Sequence, residues 1–264
     1  MDTLTQQDLA IKAPSIFTST PREDRSKRYS HISTANVVQE LMKEGFQPTR
    51  ASQVRSRIQS RRPFAKHFIT FTHPDYKMVG EVQPELLLRN SHDGTSAFML
   101  DFGLFRYICE NGLVVPDKTM VSVRVQHIGS DLTGRVIEGS YKVLDQSDAV
   151  IEQVDNMNHT LLSDADIHDF AVSAASLRWS NEDYMPISPI DLVQSRRSED
   201  NHKTLWHIYN RVQENLIKGG LRGRSRPSKK YPHGRLVRTR PLSSINRSID
   251  INKNLFGLAL SYIN

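Results

Sequence analysis

The sequence predicts an α+β fold, an antiparallel sheet from the first half packed against helices from the second half. Three observations carry that expectation. Short apolar runs, alternating or continuous, occupy residues 46–128. Longer runs with helical spacing follow in the second half. Asp93-Gly94, a strong hairpin signal, joins two of the strand-like runs and so favours antiparallel pairing.

The elements follow in chain order. Residues 1–30, rich in Thr, Ser, Pro and charge, read as a flexible lead-in, and 31–264 as a single domain. "STANVVQELMKEG" is a helix with Ser33 or Thr34 as cap, Val37, Val38, Leu41 and Met42 on one face, and Gly45 as the stop. "HFITFTH" alternates Phe68, Thr70 and Thr72 with Ile69 and Phe71, as a half-buried strand does. "PELLLRN" is a continuous apolar strand that runs into the polar knot Asn90-Ser91-His92-Asp93-Gly94, with "TSAFML" as its return. "FRYICENGL" reads as a short helix burying Phe105, Ile108 and Cys109 and capped by Gly112, and Val121, Val123 and Val125 mark a further strand.

In the second half Val136, Ser140, Val143, Ser147, Val150 and Val154 keep helical spacing, flanked by Ile137, Leu144 and Ile151. Ser163 and Asp166 stand in capping-box register before the next helix, and Ser188-Pro189 opens a short one. Leu205, Tyr209, Val212 and Leu216 form one stripe ending at Gly219-Gly220. Residues 218–241 have no period and read as a basic, partly disordered loop.

Composition bounds the function. At 264 residues the chain can bury a sizeable core, although 38% hydrophobic content is low for a compact globule. No run approaches the roughly 18 apolar residues of a membrane span. The first residues lack the basic and apolar regions of a secretion signal, and the single Cys109 excludes an internal disulfide or a Cys-rich zinc site. A cytoplasmic protein without a cofactor is expected.

The placement of charge says more than its net value of +6. Residues 47–74 hold Arg50, Arg55, Arg57, Arg61, Arg62 and Lys66 and no acid. Residues 218–247 hold Lys218, Arg222, Arg224, Arg226, Lys229, Lys230, Arg235, Arg238, Arg240 and Arg247, again with no acid. The other 19 Lys and Arg face all 29 Asp and Glu, while the 35 residues 143–177 carry seven acids and no Lys or Arg. Such segregation suits a polyanion partner, because each phosphate contact releases counterions. The alternative is that the acidic helices neutralise the basic segments within the fold.

Each candidate for chemistry has a structural competitor. His92 and Asp93 would make an acid–base or metal-binding pair, but the knot also has the composition of a plain turn, and no further ligand motif lies near. Cys109, with His92 or His127 as base, is a formal nucleophile, yet its apolar neighbours suit a packed thiol. In the first basic segment Arg55 and Arg57 stand at strand spacing beside Arg61-Arg62, with rings at Phe64, His67 and Phe68. A charged edge strand would look the same. In the second segment glycines and arginines surround Tyr231, a composition that suits nucleic acid more than burial.

Several segments also resemble a known family. "RYSHIST", "LLLRNSHDGTSAF", "GLFRYICENGLVV", "VIEGSYKVL" and "RTRPLSSINRSIDINKNLF" are similar to the phage/plasmid-like proteins of domain of unknown function 932, over roughly residues 28–256. Phe256 stands where the family commonly has Trp. The resemblance implies a mobile-element context and supplies no mechanism.

The expectation is therefore a non-catalytic nucleic-acid-binding protein of a prophage or plasmid, acting on single-stranded DNA or DNA ends in recombination, replication or DNA protection. Arg55, Arg57, Arg61, Arg62, Lys66, Arg222, Arg224, Arg226, Lys229, Lys230, Arg235, Arg238 and Arg240 would contact phosphates, and Tyr231 would stack a base. A homo-oligomer and a host protein are further candidate partners, and no membrane is implied. The competing readings are a metal-dependent nuclease or phosphoesterase using His92 and Asp93, and an inhibitor of host defence acting by protein binding.

Overall fold

A computed structural model describes residues 3–20, 22, 31–54, 57–76, 82–93, 96–106, 111–114, 123–125, 131–145, 147–179 and 184–263. The chain clusters into two compact units, Met1–Asp148 and Ala149–Asn264, where the sequence suggested one domain over 31–264.

In the first unit the presumed lead-in contains a capped helix, α1 (Gln6–Lys12). Thr5 Oγ1 accepts from the Asp8 amide at 3.2 Å, and the Asp8 carboxylate accepts from the Thr5 amide at 2.9 Å. Leu9, Ala13 and Ile16 are buried, the last within a short 3-10 helix at Pro14–Phe17. The Leu4 amide donates to Pro48 O at 2.7 Å and the Ser15 amide to Gln53 Oε1 at 2.8 Å. Three buried side chains and satisfied backbone groups outweigh a composition that suggested flexibility. Helix α2 (Thr34–Lys43) has the expected cap at Ser33 and buries Val37, Val38 and Leu41. Gly45 follows at φ +94°, a conformation that glycine adopts freely.

The sheet runs β1 (Gln47–Gln53), β2 (His67–Thr72), β3 (Val82–Asn90), β4 (Phe98–Arg106), β5 (Asn111–Val114), each antiparallel to its neighbour. β6 (Val123–Val125) pairs with the start of β4. The helix expected over 105–113 is corrected at the residues the structure describes. Phe105 and Arg106 complete β4, and Asn111–Val114 is a strand, because β3 offers β4 a full-length partner and pairing overrides the local helical pattern. Cys109 and His127 lie outside the described residues.

One sheet face carries Ile69, Phe71, Leu86, Leu88, Leu100 and Phe102. Helix α3 (Leu132–Leu144) lies on it. A Cβ at Gly139 would stand 2.7 Å from Val123 Cγ1 and 2.9 Å from Leu100 Cδ1, so only glycine permits this approach. The other face sets two ion pairs among Phe68, Leu87 and Met99. Arg50 pairs with the buried Glu85, which also accepts from Thr49 Oγ1 at 3.0 Å. Arg89 donates to Asp101 Oδ2 from Nε at 3.0 Å and from Nη2 at 2.6 Å. Burial pushes the Glu85 carboxyl above its ordinary pKa, against the pull of Arg50.

The second unit is mostly helical. α4 (Ser147–His159) starts at the boundary and buries Val150, Val154 and Met157. The helical pattern over 133–162 is thus two helices. α5 (Asp164–Arg178) has the expected Ser163–Asp166 capping box, and a 3-10 helix at Pro189–Val193 packs against it. α6 (Leu205–Lys218) is capped by Thr204 and buries Leu205, Tyr209, Val212 and Leu216. β7 (Arg222–Arg224) and β8 (Leu236–Arg238) pair as an antiparallel ribbon. α7 (Ile245–Leu260), which the sequence reading did not identify, packs on α5 and α6. It buries Ile249, Leu255, Phe256 and Ala259, and Gln213 Nε2 donates to Asn252 Oδ1 at 2.9 Å.

Candidate nucleic-acid interface

The knot turns the chain, as its composition suggested, but its side chains point inward. Asn90, Ser91 and His92 are all fully buried. His67 Nδ1 lies 3.1 Å from Ala65 O and must donate to it, so the neutral ring accepts at Nε2 from Thr34 Oγ1, 3.0 Å away. Thr34 Oγ1 in turn accepts from Asn90 Nδ2 at 3.0 Å, and Ser15 Oγ adds a contact of 2.9 Å to His67 Nδ1. The His92 ring lies 4.8 Å from that of His31 and 5.3 Å from that of His67. Burial lowers the pKa of His67 to about 4 and that of His31 in the same direction. Asp93 accepts from Ser91 Oγ at 2.7 Å. Among the described residues no group of three or more His, Asp or Glu side chains is arranged to hold a metal.

The first basic segment lies at the same end of the sheet. Gln53 pairs with His67 and His67 with Asn90, so the β1–β2 connection and the knot leave the sheet from one line. The Val54 amide closes that connection on Lys66 O at 2.8 Å, and Thr18 Oγ1 donates to Pro63 O at 2.5 Å. Arg57, Arg61 and Arg62 are exposed and Lys66 is half-buried. Arg61 and Arg62 sit on a 3-10 helix, Gln59–Phe64, and Arg57 lies beyond the end of β1, so none of them lies on a strand. Arg55 is outside the described residues. Of the nearby rings His67 is fully buried, while Phe64 and Phe68 are half-buried.

The second segment is an ordered ribbon where a partly disordered loop was expected. Its pairing continues past the strands: the Ser225 amide donates to Arg235 O at 2.8 Å, the Thr239 amide to Leu221 O at 2.9 Å, and the Gly220 amide to Thr239 O at 2.8 Å. Gly223 and Val237 take the inner side. A Cβ at Gly223 would meet Pro186 O at 2.1 Å, and the Arg224 amide donates to that same oxygen at 2.7 Å. The outer side presents Arg222, Arg224, Arg238 and Leu236, the last 81% exposed. Arg222 and Arg238 stand directly opposite each other, a like-charge pair that weakens a ribbon.

The ribbon's root is anchored in the helices. The buried Arg178 guanidinium donates to Leu216 O at the end of α6 and to Arg240 O, and Arg196 donates to Asn215 Oδ1 and to Gly219 O. Arginines here satisfy carbonyls that a helix C-terminus leaves open. The buried acids of this unit are occupied locally. Glu214 is taken by Arg197 and Lys218, and Asp200 by Arg197. Among the described residues Arg222, Arg224, Arg226, Lys229, Lys230, Arg235, Arg238 and Arg240 form no ion pair with a carboxylate.

Tyr231 lies in the ribbon's turn, 37% exposed, with Lys230 Nζ 5.6 Å and Arg235 Cζ 5.1 Å from its ring centre. Sequence reasoning missed Tyr184, which is 39% exposed with Arg226 Cζ 5.8 Å from its ring centre. It also missed His31 and Thr34 as partners of the knot. Nothing local signals either set, since the contacts join distant stretches of chain.

The family model described as "Domain of unknown function (DUF932)" matches residues 22–255, so the chain belongs to that family. Two Escherichia coli (strain K12) proteins, UPF0380 protein YafZ and UPF0380 protein YfjQ, are each 38% identical to it over 256 residues. The match covers 97% of this chain and 90% of each relative. No solved structure matches. Two of the segments that carried the resemblance, "RYSHIST" and "NSHDG", supply His31, Thr34, Asn90 and His92 to the buried network. No helix among the described residues is long and apolar enough to cross a membrane.

Proposed function

We propose that this protein is a non-catalytic nucleic-acid-binding protein of a mobile genetic element, serving recombination, replication or protection of DNA, with single-stranded DNA or DNA ends as its target. The observation that carries the reading is the ribbon. Eight exposed cations, none paired with a carboxylate among the described residues and including Arg222 and Arg238 directly opposed, are held on an ordered scaffold. Ordering like charges together is unfavourable in the free protein and becomes favourable when a polyanion joins them. Arg57, Arg61 and Arg62 of the other unit are exposed as well. No groove-reading helix motif accompanies them, which favours backbone contact over sequence readout.

The nuclease reading loses support, because His92 is fully buried between two other histidine rings and offers no nitrogen to a phosphodiester. Binding to labelled single-stranded and duplex DNA and RNA, measured across salt concentrations, tests the proposal. Affinity is expected to fall with a log–log slope of about −0.7 per phosphate contacted on single strands, so the eight ribbon cations bound the ribbon's share at about −6. A flat isotherm from low to moderate salt overturns it and leaves the protein-binding inhibitor as the next reading.

A further inference from the structure

We infer that Tyr231 and Tyr184 form a stacking subsite for the bases of an unpaired strand, an inference that rests on the nucleic-acid reading above. The two rings come from distant parts of the chain and meet the same basic element. The stretch from Tyr184 to Ile187 runs along the ribbon, pinned where the Arg224 amide meets Pro186 O at 2.7 Å and where Gly223 leaves no room for a side chain. Arg226 then reaches over the Tyr184 ring from the ribbon's own turn. Tyr231 is held from both sides of its peptide. Its amide donates to Ser228 O at 3.0 Å, and its carbonyl accepts from the Ser228 and Gly234 amides at 3.0 and 2.9 Å. Gly234 sits at φ +69°, where a Cβ would stand 2.1 Å from Ser225 O, so the turn depends on glycine there.

An exposed ring on a fixed backbone loses little freedom when something stacks on it. Each ring has a cation over it at 5.1 to 5.8 Å from its centre, so the surface holds flat π-systems and positive charge together. An unpaired nucleotide presents that pattern in reverse, a base face and a phosphate in every unit. A duplex offers the phosphates but keeps its base faces stacked internally. An acidic peptide or a sulfated glycan offers the charge without a regular series of flat faces. The ring-and-cation arrangement therefore selects an unpaired strand from among the polyanions.

The test uses the full chain with three labelled probes, a single strand of about 16 nucleotides, the same strand with abasic sugars, and the duplex. Tyr231→Leu and Tyr184→Leu are each expected to weaken binding of the intact single strand about tenfold, Tyr→Phe at either position to leave it unchanged, and the salt slope to stay the same. Binding to the abasic strand and to the duplex should change less than about twofold, because their phosphates are contacted as before. Equal losses on intact and abasic strands overturn the inference, as do unchanged affinities in both Leu variants, and either result leaves the nucleic-acid reading standing. Failure of the unaltered protein to bind any probe instead overturns that reading, and the inference with it. Phe variants that behave like Leu variants would place the effect on the hydroxyl and also overturn stacking.

Discussion

Asn90 donates from its amide to the hydroxyl of Thr34 at 3.0 Å, so the last residue of β3 is tied to the first residue of α2. That hydroxyl also serves His67, which makes Thr34 the centre of the network beneath the knot. Thr34→Val keeps the shape and removes both bonds. It is expected to lower unfolding free energy by about 2 kcal/mol, with Thr34→Ser losing less. Urea denaturation measures the difference, and equal midpoints for Val and wild type would remove the network's structural role.

The same network gives a pH dependence. His67 titrates near pH 4 in the folded chain because it is buried, against 6.5 for a free imidazole. Between those values the unfolded state binds a proton that the native state refuses, so stability falls as pH drops from 6.5 toward 4. The full loss is about 3 kcal/mol. His31 is depressed in the same direction and adds to the slope. Unfolding midpoints of His67→Gln should depend less on pH across this window than those of the wild type.

Arg178 fixes the ribbon by bridging Leu216 O and Arg240 O. Arg178→Met should loosen the ribbon without unfolding the helices, so trypsin should cut between residues 222 and 240 roughly ten times faster while the far-ultraviolet dichroism persists. Lysine should rescue poorly, since a single ammonium lacks the planar fork that reaches two carbonyls. Unchanged cleavage in Arg178→Met would show that the ribbon stands without this anchor.

On the ion-paired sheet face Arg89 holds the buried Asp101. Arg89→Met is expected to cost about 3 kcal/mol by stripping a buried carboxylate of its guanidinium. Arg89→Met combined with Asp101→Leu should recover part of that loss, so the double-mutant cycle should show a coupling above about 1 kcal/mol. Additive losses would mean that the pair acts independently.

How much of this was legible depended on whether the signal was local. The cap at Ser33, the capping box of Ser163 and Asp166, the alternation of Phe68 to Thr72 and the stripe of Leu205, Tyr209, Val212 and Leu216 all rest on neighbours within a turn or two. The knot was legible as a turn for the same reason. That His92 turns inward was not, since His31, His67 and Thr34 come from other elements. The ribbon was illegible because its strands are three residues each and show no apolar alternation. What orders it is backbone pairing and the fit of Gly223 against Pro186. Residues 3–20 misled in the opposite sense, polar in composition yet fastened by Leu9, Ala13 and Ile16.

The opposition of Arg222 and Arg238 has a consequence for how the free protein responds to its medium. Added salt shields the ribbon's crowded guanidinium groups from one another and so tightens the empty arm. The same salt competes for whatever phosphates the arm would hold and so loosens the loaded one. Ionic strength would thus act with opposite signs on the empty arm and on an arm loaded as proposed, with the gap widest in dilute buffer.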